Sequence, residues 1–188
     1  MTISKYMTVP NALSASRIVF LPLLYVLALQ GHLIAFTLAY AILGATDLFD
    51  GVMARRLKQK TDFGKVLDSF ADLPFYLSTA YFIWLLYADY LRPNLTLLYV
   101  FFGVLALSFV VSGIKCRKPI LMHTFLLKLV AVLVYALVVL SYFLNTTIFV
   151  TVIISIYIAG FVESILIFLI YGEVDPDSPF IFKIRPKK

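Results

Sequence analysis

Long apolar runs broken by short polar clusters organise this chain. Apolar residues fill six stretches, 9–29, 33–54, 63–87, 95–114, 121–144 and 149–171. Each is near the ~20 residues that a helix needs to cross the hydrocarbon core of a bilayer. Backbone groups in that core have no water to bond, so every stretch is expected to close its hydrogen bonds as a helix. The first stretch carries Arg17 in its middle and no small-residue cleavage site follows Leu29, so it reads as a permanent helix and not a signal peptide. After Gly172 the chain contains Asp175, Pro176, Asp177 and Pro179, which cannot continue a helix. The connecting segments are short and no linker or low-complexity tract interrupts them, so residues 1–188 read as a single transmembrane domain.

Composition agrees. With 62% hydrophobic and 14% charged residues, a chain of 188 residues cannot hide its apolar surface in a soluble core. The expected class is an all-α polytopic membrane protein with six transmembrane helices. Lys5, Arg55, Arg56, Lys58, Lys60, Lys65, Lys115, Arg117, Lys118, Lys183, Arg185, Lys187 and Lys188 fall on one side of a six-span arrangement, and the opposite loops hold only Arg92. The positive-inside rule then puts both termini in the cytoplasm. A net charge of +6 suits an anionic lipid surface or an anionic substrate. The cations are scattered among juxtamembrane loops with no aqueous module to display them, which argues against nucleic acid. A single cysteine, Cys116, excludes an internal disulfide and a cysteine-based metal site. Asn94 and Asn145 open glycosylation-type triplets, but such triplets are common and these lie close to the bilayer.

Against this background one segment stands out. Asp47, Asp50, Arg55, Arg56, Asp68 and Asp72 crowd a short stretch of an otherwise apolar chain, with Gly51 and Gly64 among them. A charge at the bilayer centre costs roughly 2.5–3.5 kcal/mol on insertion scales, so carboxylates near membrane segments call for a neutralising partner. Asp47 and Asp50 are three residues apart near the cytoplasmic end of the second span, and Asp68 and Asp72 are four apart early in the third. Each pair shares a helix face, and the short loop between the spans makes them antiparallel neighbours whose faces can converge. Converging carboxylates repel one another unless cations intervene. Hard oxygen ligands without His or Cys favour Mg²⁺ or Mn²⁺. Gly51, Ala54 and Gly64 are expected to leave bare helix surface for a ligand, and Arg55 adds a planar fork that suits phosphate oxygens. Arg56, Lys58 and Lys60 read as topology signals.

The spacing Asp47-x2-Asp50-Gly51-x2-Ala54-Arg55-x8-Gly64-x3-Asp68-x3-Asp72 resembles, at every fixed position, the signature of the CDP-alcohol phosphatidyltransferase family. Six helices with these acids at the cytoplasmic end of the second and third are similar to that family's architecture too. The resemblance implies transfer of the phosphatidyl group from CDP-diacylglycerol to a small or phosphorylated alcohol, with release of CMP. It implies a metal set of Asp47, Asp50, Asp68 and Asp72 holding two Mg²⁺ or Mn²⁺ ions, with Asp72 as general base. A CDP pocket shaped by Gly51, Ala54, Arg55, Gly64 and Asp68 is implied as well, together with a homodimer whose active site faces the cytoplasm of a bacterial or archaeal cell membrane.

The acceptor is less sharply written. Asn11 and Arg17 sit in an opening similar to the P-N-x-L-S/T-x-x-R-I wording of the glycerophosphate and cardiolipin branches, while Leu67-Asp68-Ser69-Phe70-Ala71-Asp72 is nearer the wording of serine-type members. Glycerol 3-phosphate is the leading acceptor, with serine, inositol phosphate and phosphatidylglycerol as alternatives. Lys115, Arg117, Lys118, His123 and Lys128 form a basic set suited to an acceptor phosphate, or to a positive-inside loop. Arg17 either snorkels to headgroups or faces the cavity. Glu163, an acid inside the last span, reads as a hydrogen-bonded structural group or a dimer contact. A cation transporter is the alternative of a different class, weakened by the clustering of the acids at one end of their helices.

Overall fold

The computed structural model describes residues 8–57, 59, 61–122, 124–176 and 178–184, with the side chains of 48, 50–52, 54, 55, 62, 65 and 69 outside that description. The described residues are helical throughout their regular structure. In chain order the helices are α1 (Val9–Leu29), α2 (Leu33–Arg56), α3 (Asp62–Leu86), a short α4 (Ala88–Leu91), α5 (Leu95–Cys116), α6 (Phe125–Ser141) and α7 (Thr147–Tyr171), with a 3₁₀ turn at Arg92–Asn94. Three segments among the described residues are long and apolar enough to cross a membrane: Val9–Leu29, Ala88–Cys116 and Thr147–Tyr171. Leu33–Asp47 and Phe125–Ser141 are shorter apolar helices. Large apolar side chains such as Val19, Ile42, Tyr99 and Ile148 are between 67% and 79% exposed. Surfaces of this kind suit lipid and not water, consistent with a membrane protein.

The chain divides into two compact units, Met1–Ala88 with Val138–Leu144, and Asp89–Leu137 with Asn145–Lys188. In the first, α1 packs against both α2 and α3. Its interior is aromatic: Phe36 meets Tyr40 and Phe82, Tyr40 stacks on Phe75, and Tyr25 meets Phe82. Two hydroxyl contacts satisfy the polar tips, Tyr25 Oη donating to Ser78 Oγ at 2.9 Å and the buried Tyr40 Oη lying 3.0 Å from Thr79 Oγ1. Pro22 and Pro74 stand inside α1 and α3. Pro74 has no N–H to give to the preceding turn, and Ser78 Oγ donates to its carbonyl at 2.7 Å.

The second unit pairs α5 with α7. Asn94 ties the start of one to the other: its Nδ2 donates to the Thr147 carbonyl at 3.1 Å and its Oδ1 accepts from Thr151 Oγ1 at 2.6 Å. This buried asparagine is a structural joint. Leu121, Met122 and Thr124, expected to open the fifth span, are not helical. Ile120 and Met122 are instead buried with Cys116, Ile167, Phe168 and Val174, and the Ile120 N–H donates to Ser112 Oγ. Apolar residues packed as a loop mimic a span in the sequence. Past α7 the chain folds back: Pro179 carbonyl accepts the Phe125 N–H at 2.9 Å, Phe180 meets the Phe125 ring, and the Ile181 N–H donates to Glu163 Oε1 at 3.1 Å. Of the two readings open for Glu163, these contacts favour the hydrogen-bonded structural acid.

Candidate active site

The site begins with the first turn of α1. Thr8 caps the helix, its hydroxyl accepting from the Asn11 N–H, and Pro10 stands in the first turn where no intrahelical donor is needed. From there Asn11, Ser14 and Arg17 follow at intervals of three, all buried on one face. Thr61 caps α3 in the same way, accepting the Gly64 N–H at 2.9 Å. Asp68, Asp72 and Tyr76 then follow at intervals of four and share a face.

These faces meet α2 at Asp47. Arg17 Nη1 donates to Asp47 Oδ1 at 2.5 Å and also to Asp72 Oδ1, and Nη2 donates to Asp68 Oδ1 at 2.6 Å. Ser14 Oγ adds a bond to Asp68 Oδ1 at 3.3 Å, and Tyr76 Oη donates to Asp47 Oδ2 at 3.1 Å. One carboxylate oxygen from each of Asp47, Asp68 and Asp72 lies within 4.8 Å of the others. The Arg17 side chain is fully enclosed, whereas those of Asp47, Asp72 and Asp68 are 25%, 29% and 40% exposed. Half-open carboxylates with no sulfur or imidazole among them fit a hard divalent cation such as Mg²⁺ or Mn²⁺.

The two helices thus bring together three of the expected acids. Arg17 does not snorkel: its guanidinium is locked among carboxylates. Ser14 and Tyr76 had not been singled out in the sequence, although each lies one helical turn from a residue that was, Ser14 before Arg17 and Tyr76 after Asp72. Gly64 has a different role from the bare surface expected of it. A Cβ there would sit 2.7 Å from Asn11 Oδ1 and 3.0 Å from Thr61 Oγ1, so the space is filled by the asparagine and the cap. Asp50, Gly51, Ala54 and Arg55 lie on the last turns of α2, with side chains outside the described residues. His123 is outside them too.

The remaining basic candidates belong to the second unit. Lys115, Arg117 and Lys128 are exposed. Lys128 stands in the first turn of α6, because that helix starts at Phe125, so it is shallower than the seven residues of span expected to precede it. Lys118 pairs with Glu173 at 2.5 Å. Arg117 ends α5 in the left-handed region, φ 58°, a conformation that costs a residue with a Cβ about 1–2 kcal/mol.

Residues 7–171 match the family described as CDP-alcohol phosphatidyltransferase. Among curated relatives, the CDP-diacylglycerol–glycerol-3-phosphate 3-phosphatidyltransferase of Aquifex aeolicus is 33% identical over 60% of this chain and 61% of its own length. The probable cardiolipin synthase (CMP-forming) of Drosophila melanogaster is 39% identical over 60% of this chain and 35% of its own length. The CDP-diacylglycerol–inositol 3-phosphatidyltransferase of Candida albicans is 33% identical over 45% and 36%. The chain therefore spans about three-fifths or less of the length of these relatives. No solved structure matches.

Proposed function

The chain belongs to the CDP-alcohol phosphatidyltransferase family, and on that premise we propose that it is a phospholipid-synthesising enzyme that moves the phosphatidyl group of CDP-diacylglycerol to an alcohol and releases CMP. The observation that carries this reading is the convergence of Asp47, Asp68 and Asp72 within 4.8 Å. In the proposed reaction the alcohol oxygen attacks the phosphorus that bears diacylglycerol, the bond from that phosphorus to the CMP oxygen breaks, and the hydroxyl proton passes to a carboxylate. Asp72 is assigned as that base. Its exposed edge suits proton acceptance, and its other contact, to Arg17, fixes its direction. Asp47, Asp50, Asp68 and Asp72 would hold two Mg²⁺ or Mn²⁺ ions, which when bound neutralise the pyrophosphate and stabilise the departing CMP. Gly51, Ala54 and Arg55, at the end of α2, are assigned with Asp68 to the CDP moiety, Arg55 gripping phosphate oxygens.

Glycerol 3-phosphate is the proposed acceptor. Relatives named for glycerol 3-phosphate include those of Aquifex aeolicus and Pseudomonas fluorescens, and Lys115, Arg117, His123 and Lys128 supply cations suited to a phosphate. Asn11 and Arg17, which the opening motif offers as acceptor contacts, are enclosed beneath the carboxylates and are not assigned to the acceptor. The cardiolipin and inositol relatives keep phosphatidylglycerol and inositol phosphate as alternatives, beside serine. The chain is read as one domain of six spans with cytoplasmic termini and a cytoplasm-facing site, acting as a homodimer in a bacterial or archaeal membrane. Purified protein given CDP-diacylglycerol, Mg²⁺ and single alcohols should form CMP fastest with glycerol 3-phosphate. CMP formed only with another alcohol replaces the acceptor, and no CMP with any alcohol, alongside ion flux in vesicles, overturns the enzymatic reading.

A further inference from the structure

Among the described residues Arg17 is the only buried side chain that carries a full charge. Its surroundings show a direction. The guanidinium is fully enclosed while the three carboxylates it holds are 25% to 40% exposed, so it approaches them from the protein side and leaves their other edges outward. It also uses one oxygen, Oδ1, of each acid: two at Nη1 and one at Nη2. A planar fork distributes acceptors in this fashion, and an ammonium on a flexible stem does not. Three carboxylates within 4.8 Å would otherwise repel one another.

We propose that Arg17 is a positioning residue that gathers Asp47, Asp68 and Asp72 from the enclosed side, so that the divalent-ion site is assembled before an ion arrives. The inference rests on the ion-binding reading of these acids given above. Ser14 and Tyr76 support the same arrangement, since each adds a bond to an acid that Arg17 already holds. Groups that orient metal ligands are known by their effect on affinity, and losing one typically weakens the metal roughly 10- to 100-fold. Charge alone predicts the opposite, because deleting a cation beside a dication site removes a repulsion. The two accounts therefore differ in sign.

Mn²⁺ binding to the purified full chain in detergent, read from the paramagnetic resonance signal of the free ion, separates them. R17Q that keeps wild-type helicity by circular dichroism should bind Mn²⁺ roughly 10- to 100-fold more weakly, and R17K, which restores the charge without the fork, should recover only part of that loss. R17Q that binds Mn²⁺ as tightly as wild type, or more tightly, overturns the inference while leaving the ion site standing. Wild-type protein that takes up no Mn²⁺ overturns both. Should neither variant fold, wild-type protein decides: Arg17 is expected to stay protected from a guanidinium-specific dicarbonyl, followed peptide by peptide in the mass spectrometer, with and without saturating Mn²⁺. Modification of Arg17 that rises when Mn²⁺ is added means that the ion displaces it, and the positioning role fails.

Discussion

Gly64→Ala tests the packing beneath the site, because its effect should depend on the residue at position 11. The added methyl would stand 2.7 Å from Asn11 Oδ1 and 3.0 Å from Thr61 Oγ1. Asn11 is only 5% exposed, and Thr61 Oγ1 is committed to the Gly64 N–H, so neither neighbour yields freely. Overpacking of this sort costs about 1–3 kcal/mol, and the better helix propensity of alanine returns up to about 1 kcal/mol. With the full offset the net expectation is a loss of up to about 2 kcal/mol. For a chain of this length each kcal/mol moves the melting temperature by about 2–4 °C. With Asn11→Ala the closest obstacle is gone and only Thr61 Oγ1 stays near, so the same Gly64→Ala change should cost about 1 kcal/mol less and lower the melting temperature by about 2–4 °C less. Thermal unfolding in detergent, followed by circular dichroism in a double-mutant cycle, measures the coupling directly. Equal shifts in the two backgrounds would refute the claim that Asn11 is what demands glycine.

Asp72→Asn should abolish CMP formation while CDP-diacylglycerol binding stays measurable by equilibrium binding, since the proton acceptor is needed only for chemistry; retained turnover removes Asp72 from that role. Lys128→Ala should raise the KM for the acceptor far more than the KM for CDP-diacylglycerol in steady-state assays, and equal shifts would instead favour a lysine that merely faces the headgroups. Arg117→Gly relieves a left-handed residue at the end of α5 and should stabilise the protein by about 1 kcal/mol in thermal unfolding, yet weaken the acceptor if its guanidinium binds phosphate. A higher melting temperature with unchanged acceptor kinetics would assign Arg117 to the helix end alone.

Much of the architecture was readable from apolar runs, because helix formation in a bilayer is dictated locally by hydrophobic length. The expected first span and α1 share the limits 9 and 29, and α2, α3 and α7 begin or end within two residues of expectation. Met122 and Thr124 misled because hydrophobicity reports burial, and a loop can be buried as well as a helix. The spaced aspartates could be read because i, i+3 and i, i+4 intervals define faces. What covers a face depends on a partner far along the chain: Arg17 meets Asp47, Asp68 and Asp72 across 30, 51 and 55 residues. No local pattern declares such a meeting. Glycine was ambiguous for the same reason, since Gly64 makes room for Asn11, 53 positions earlier, where sequence alone suggested room for a ligand.

The return of the chain after α7 has a practical consequence for anyone handling this protein. Residues 179–181 supply the acceptor for the leading amide of α6, a ring against Phe125, and the amide held by Glu163. A purification tag or deletion placed among them would therefore fray the start of α6 and strip the half-buried Glu163 of its donor, well away from the point of cloning. Fusions belong at the other terminus, or beyond a spacer that leaves this fold-back untouched.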